Sequence, residues 1–117
     1  ILILGIAYKS NISDTRESPA IKVIEELVEN GADIRVYDPH AKSIKTRFGN
    51  YYSEDNFEES LKWADCAILV TDHDVFKQNT VILNTIKNRK TIIVDTRNIF
   101  DINMEDISLE NPFYIKL

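Results

Sequence analysis

The chain has 117 residues, 44% hydrophobic and 28% charged, an ordinary balance for one globular domain built around a single core. Its net charge of −5 argues against a nucleic-acid partner, since gripping a phosphate backbone needs a basic surface. No apolar run approaches the roughly 18 residues a membrane span needs, and a single Cys cannot close an internal disulfide, so a reducing, cytoplasmic setting away from membranes is expected.

Residues 1–7 form a continuous apolar run that reads as a strand buried on both faces. Termini are usually solvated, so a chain opening at Ile1 inside such a run is expected to have sequence upstream of it. A polar stretch, Tyr8 to Glu17, follows. Ser18-Pro19 reads as a helix start, with Ser as N-cap and Pro in the first turn. Ile21, Ile24, Leu27 and Val28 then recur at helical spacing, opposite Lys22, Glu25, Glu26 and Glu29. Asn30-Gly31 closes this helix, and 33–38 is a second strand stopped by Pro39. Residues 40–53 are ambiguous; Ala41 to Arg47 suits a helical turn and Tyr51-Tyr52 a strand end. A short helix over 54–63, a strand over 66–70, a helix over about 80–87 and a strand over 91–94 come next. Phe113 to Leu117 could add an edge strand. This alternation predicts an α/β fold: a Rossmann-like, open, mostly parallel sheet with helices on both faces, three layers in all.

In such sheets ligands bind beyond the carboxyl ends of the strands. Those ends carry Tyr8, Lys9, Asp14, Arg16 and Glu17, then Asp38 and His40, then Thr71, Asp72, His73 and Asp74, and finally Asp95, Arg97 and Asn98. Cations gathered on one rim of an acidic chain suit a multiply charged anion, a diphosphate above all. The first turn lacks the Gly-x-Gly-x-x-Gly pattern by which backbone amides approach a dinucleotide, because Gly5 stands alone. Phosphate would therefore be held by Lys and Arg side chains.

Each residue also has a plainer reading. Arg16 could form a loop salt bridge with Asp14 or Glu17, Arg97 could brace its own turn, and Lys9 could simply be solvated. The Asp-His-Asp run at 72–74 reads as a solvated loop or helix cap rather than a metal site or proton relay, since it lacks spaced partners. Cys66 reads as a buried structural thiol, and Phe57 and Trp63 as core. No metal is expected.

The stretch Gly5-Ile-Ala-Tyr-Lys-Ser-Asn-Ile-Ser-Asp-Thr-Arg-Glu-Ser-Pro19 resembles the motif opening the C-terminal domain of the UDP-glucose/GDP-mannose dehydrogenase family. Val36-Tyr-Asp-Pro39, Ala64-Asp-Cys-Ala-Ile-Leu-Val-Thr71 and Ile93-Val-Asp-Thr-Arg-Asn-Ile-Phe100 match further motifs in the same order. The resemblance implies that residues 1–117 are one nucleotide-sugar-binding domain of a three-part enzyme. An N-terminal Rossmann domain would hold NAD, and a central helical segment would make the parent a homo-oligomer. Such enzymes oxidise the C6 alcohol of a UDP-sugar to a carboxylate using two NAD and a Cys from a motif absent here. Cys66 is not that nucleophile, so the resemblance implies no catalytic residue in this chain and no activity for the chain alone. Carried over position by position, Tyr8, Lys9 and Arg97 would contact the substrate, and Arg16, oriented by Asp14, would reach NAD. The run Thr71-Asp-His-Asp-x-Phe76 is similar to members acting on UDP-N-acetylmannosamine or UDP-N-acetylglucosamine, and the first is favoured over UDP-glucose. Two rival readings are a free-standing nucleotide-sugar-binding or regulatory domain, and a receiver-like module, which the final Asp95-Thr96-Arg97 does not suit.

Overall fold

The computed structural model describes residues 1–77, 79–88, 90–100 and 111–117. Strand β1 (Leu2–Leu4) runs through the middle of the molecule, with all three side chains fully buried. Successive strand residues face opposite ways, so Leu2 and Leu4 join one core and Ile3 the other. A strand covered on both faces must be apolar at every position, which is why the opening run shows no alternation.

On one side β1 pairs in parallel with β2 (Arg35–Tyr37), and on the other with β5 (Cys66–Leu69). The sheet continues through β6 (Ile92–Asp95) to β7 (Tyr114–Lys116), in the order β2-β1-β5-β6-β7, every pair parallel. The edge strand near the end of the chain is thus present. Helix α1 (Pro19–Glu29) covers one face, inserting Ala20 and Ile24 against Ile3 and Val36. Helices α2 (Phe57–Trp63), α3 (Asp74–Lys77) and α4 (Thr80–Asn88) cover the other, packing Leu61, Phe76, Ile82 and Ile86 onto Leu2, Leu4, Ala67, Leu69 and Ile93. The three-layer arrangement expected from the sequence is the one observed.

Helix α1 begins as its sequence dictates. The Ser18 hydroxyl accepts from the Ala20 amide at 3.1 Å and donates to the Ala7 carbonyl at 3.2 Å, so the cap also ties the helix to the end of β1. Asn30 ends the helix, and Gly31 follows at φ +89°, a conformation that suits a residue without Cβ.

Residues 41–47 contain no helical turn. Instead β3 (Ser43–Thr46) and β4 (Gly49–Tyr52) form an antiparallel hairpin. Ile44 and Thr46 are buried on either side of exposed Lys45, a period of two that outweighs helical spacing over so few residues. Gly49, at φ +121°, turns the chain, and the Thr46 hydroxyl donates to its carbonyl at 2.9 Å. The first strand is also shorter than expected: it stops at Leu4 because Gly5 leaves the extended region at φ +87°. Helix α3 has only four residues, too few to show a period in the sequence.

Candidate functional site

The strand order reverses between β1 and β5, since β1 leads to β2 on one side and the chain later returns on the other. A crevice at the carboxyl ends of two such strands is the usual ligand position in this architecture. Here the chain's own atoms fill it. Asp38, just beyond β2, accepts hydrogen bonds at Oδ2 from the Ile6 amide at 2.8 Å and the Ala7 amide at 3.2 Å. His73 Nε2 adds a third at 2.8 Å, and Oδ1 accepts from the His40 and Ala41 amides at 2.7 and 2.9 Å. Burial works to raise the Asp38 carboxyl. His73 and the amides of Ile6, His40 and Ala41 outweigh it and hold the group below the usual carboxylate range.

The amides that would cradle a dinucleotide after β1 are therefore occupied by a carboxylate. Gly5 offers no open approach either, because it lies against Thr71. These residues do not fit NAD in the Rossmann manner, which agrees with the missing Gly-x-Gly-x-x-Gly pattern.

His73 corrects the solvated-loop reading, for it is completely buried. The Asn11 amide, which can only donate, points at its Nδ1 from 2.8 Å, so the ring proton sits on Nε2 facing Asp38. Both ring nitrogens are committed to protein partners, and neither has a lone pair left for a metal. The sequence hides this arrangement because Asp38 lies 35 residues away from His73. Phe76, three positions on and buried against the His73 ring, is the one local hint that this segment turns inward.

The four residues singled out by sequence lie on the loops that leave β1 and β6. Tyr8 and Arg16, with Asp14 and Glu17, line a shallow hollow of about 410 Å³. The loop closes on itself through the Tyr8 amide, which donates to the Asp14 carbonyl at 2.7 Å. Arg16 grips Asp14 with two nitrogens, Nε at 3.1 Å and Nη2 at 2.9 Å, so the loop salt bridge does form. That grip holds the Asp14 carboxyl down to about 2 and pushes the Arg16 guanidinium up. Even so, 88% of the Arg16 side chain is exposed, leaving most of the guanidinium open to a ligand. Glu17 holds φ +59°, an unfavourable conformation for a residue with a Cβ, directly beside Arg16. Lys9 is exposed next to Tyr8.

Arg97 sits on a turn shaped by buried Asp95, whose carboxylate accepts from the Arg97 amide at 3.0 Å and the Ile99 amide at 3.1 Å. Its guanidinium stands 3.9 Å from Asp72 beyond β5. Asn11 reaches the same segment from the other side, through His73 and Asp74. The structure thus links the loop of Tyr8, Lys9 and Arg16 to Arg97 by way of residues 71–74. It brings Tyr8 and Arg16 to one hollow and Arg97 to Asp72. A second hollow, about 350 Å³, is lined by residues of α2, α4 and the approach to β6, away from this edge.

A model of the UDP-binding domain of the UDP-glucose/GDP-mannose dehydrogenase family matches residues 2–102. The chain belongs to that family. A UDP-N-acetyl-D-mannosamine dehydrogenase of Methanococcus maripaludis is 41% identical over 106 residues, covering 86% of this chain and 23% of the relative. A UDP-glucose 6-dehydrogenase of Haloferax volcanii is 34% identical over 100 residues, covering 85% and 23%. The solved structure of a UDP-D-ManNAc dehydrogenase from Pyrococcus horikoshii superposes with a TM-score of 0.68 at 26% identity, over 98% of this chain and 24% of that one. The chain spans about a quarter of the length of these family members. Among its described residues, no helix is long and apolar enough to cross a membrane.

Proposed function

We propose that this chain is the C-terminal, nucleotide-sugar-binding part of an NAD-dependent UDP-sugar 6-dehydrogenase, with UDP-N-acetylmannosamine as its substrate. The observation that carries this reading is the pairing of a family match over residues 2–102 with a dinucleotide crevice sealed by Asp38. A Rossmann-like domain that cannot cradle its own dinucleotide, yet presents exposed Arg and Lys at its carboxyl edge, suits a diphosphate held by side chains.

In this reading Lys9 and Arg97 neutralise the substrate diphosphate. Arg97 is free to do so, since its contact with Asp72 is long and half-exposed, a type of ion pair worth little in water. Tyr8 lies against the substrate. Arg16, steered by Asp14, reaches NAD held by another domain of the parent. NAD supplies the hydride acceptor; taking a primary alcohol to a carboxylate removes two hydrides and consumes one water. The residues of this chain orient the substrate and help exclude bulk water while the domains are closed. The nucleophilic Cys belongs to another domain, and the parent works as a cytoplasmic homo-oligomer.

The test is steady-state NADH formation by the parent enzyme with UDP-N-acetylmannosamine, UDP-N-acetylglucosamine and UDP-glucose. The highest kcat/KM is expected with the first, at two NADH per sugar. UDP-glucose is the competing substrate, which the likeness to the H. volcanii enzyme keeps open. No NADH with any UDP-sugar would overturn the assignment.

A further inference from the structure

We propose that Asp38, His73 and Asn11 form a positioning joint that sets the substrate-facing loop of residues 8–17, an inference that rests on the reading above. Asp38 holds His73 through Nε2, and His73 Nδ1 receives the Asn11 amide, both at 2.8 Å. The Asn11 side chain then clasps Asp74 twice, its Nδ2 donating to Oδ2 and its Oδ1 accepting from the Asp74 amide, each at 3.0 Å. Asn11 adopts φ +63°, a left-handed conformation that Asn tolerates better than most residues. It lies between Lys9 and Arg16, and the bond from the Tyr8 amide to the Asp14 carbonyl closes the loop around it.

Burial of Asp38 alone does not explain a histidine at position 73. Four backbone amides already satisfy that carboxylate, and an apolar side chain could fill the space between His40 and Phe76. What the imidazole adds is an acceptor of fixed orientation, aimed out of the core at the loop. Asp38 fixes the tautomer by accepting a hydrogen bond from Nε2–H, as a partner fixes a metal-binding or catalytic imidazole elsewhere. A loop ordered in advance loses less freedom when the nucleotide sugar binds, so the joint acts on affinity.

Two substitutions separate the two nitrogens. His73→Gln keeps a donor for Asp38 but removes the acceptor for Asn11. His73→Asn places its amide oxygen near the Nδ1 position and gives up the Asp38 bond. In the parent enzyme, His73→Gln is expected to raise KM for the UDP-sugar roughly 10-fold with kcat within about twofold, the scale of one preorganising hydrogen bond. His73→Asn should recover most of that KM although its Tm falls. Faster amide exchange over residues 8–17 in His73→Gln, and not in His73→Asn, would accompany the loss. KM values that simply follow Tm in both variants would reduce His73 to a structural residue and overturn the joint. Should His73→Gln fail to fold, Asn11→Gly tests the Asp74 side of the joint on an exposed residue, its backbone amide still facing His73. It keeps the backbone conformation, loses the clasp on Asp74, and is expected to raise KM about 5-fold at unchanged Tm. An unchanged KM there would overturn the joint. A wild-type parent inactive on every UDP-sugar would defeat the functional assignment itself, a result distinct from an active enzyme indifferent to these substitutions.

Discussion

Gly5 and Thr71 approach so closely that a Cβ at residue 5 would stand 2.5 Å from the Thr71 Cβ and 2.8 Å from both its amide nitrogen and its carbonyl oxygen. Backbone cannot yield as a flexible side-chain tip does, so Gly5→Ala must push apart the two loops at the strand-order reversal. Gly31 makes the control: its φ of +89° nearly equals the +87° of Gly5, but nothing lies within 4 Å of its missing Cβ. Urea denaturation of the chain should show Gly31→Ala costing about 1 kcal/mol for left-handed backbone alone. Gly5→Ala should cost more than ~3 kcal/mol or abolish folding. Equal losses would show that the close approach carries no energy.

Asp38→Ala would strip an acceptor from His73 and four backbone amides, and a loss of about 3 kcal/mol or more is expected from a broken buried network. The pH dependence has a definite sign. Because the folded carboxyl titrates below its unfolded counterpart, the native state binds the proton more weakly. The resulting stability is complete above the unfolded value of about 3.9 and is lost as pH falls through the lower folded value. The stability gap between wild type and Asp38→Asn should therefore narrow as the solution is acidified from about pH 4. A gap that holds constant across that window would mean the charge contributes nothing.

Arg97→Ala in the parent is expected to raise KM for the nucleotide sugar on the order of 10–100-fold, the scale of a lost charge-assisted bond to phosphate. Arg16→Ala should instead raise KM for NAD. If Arg97→Ala altered only stability, its work would be confined to the turn beside Asp72.

Cys66 is half-buried, and burial raises its thiol above the ordinary value. Slow alkylation near neutral pH is expected, because the reactive thiolate is scarce. Cys66→Ala should leave turnover of the parent within about twofold, far less than the loss of a covalent nucleophile costs. The chain alone should form no NADH from any UDP-sugar. Turnover by the chain, or its collapse on Cys66 substitution, would move the reactive chemistry into this domain.

Much of the fold could be read directly. Ser18-Pro19 and Asn30-Gly31 bracket α1 because cap chemistry is local, and β1 announced itself because burial on both faces leaves an apolar run. The end of β4 is legible at Tyr51-Tyr52, but β3 is not, since two buried positions, Ile44 and Thr46, around one exposed lysine are too few to fix a period. For the candidate site, residues on the rim were legible from strand ends, and the Arg16–Asp14 contact from adjacency. The interior burial of His73 was not, because polarity in a three-residue run argues for water until a carboxylate distant in sequence is folded beneath it.

The last strand has a role beyond completing the sheet. The Tyr114 hydroxyl donates at 2.9 Å to Asp95 Oδ2, while Oδ1 of the same carboxylate receives the Arg97 amide. Burial and that carboxylate together push the phenol's titration upward, so the tether persists through ordinary alkaline conditions. Residues 111–117 are in effect a guy-rope: losing the Tyr114 hydroxyl would slacken the anchorage from which a guanidinium is aimed.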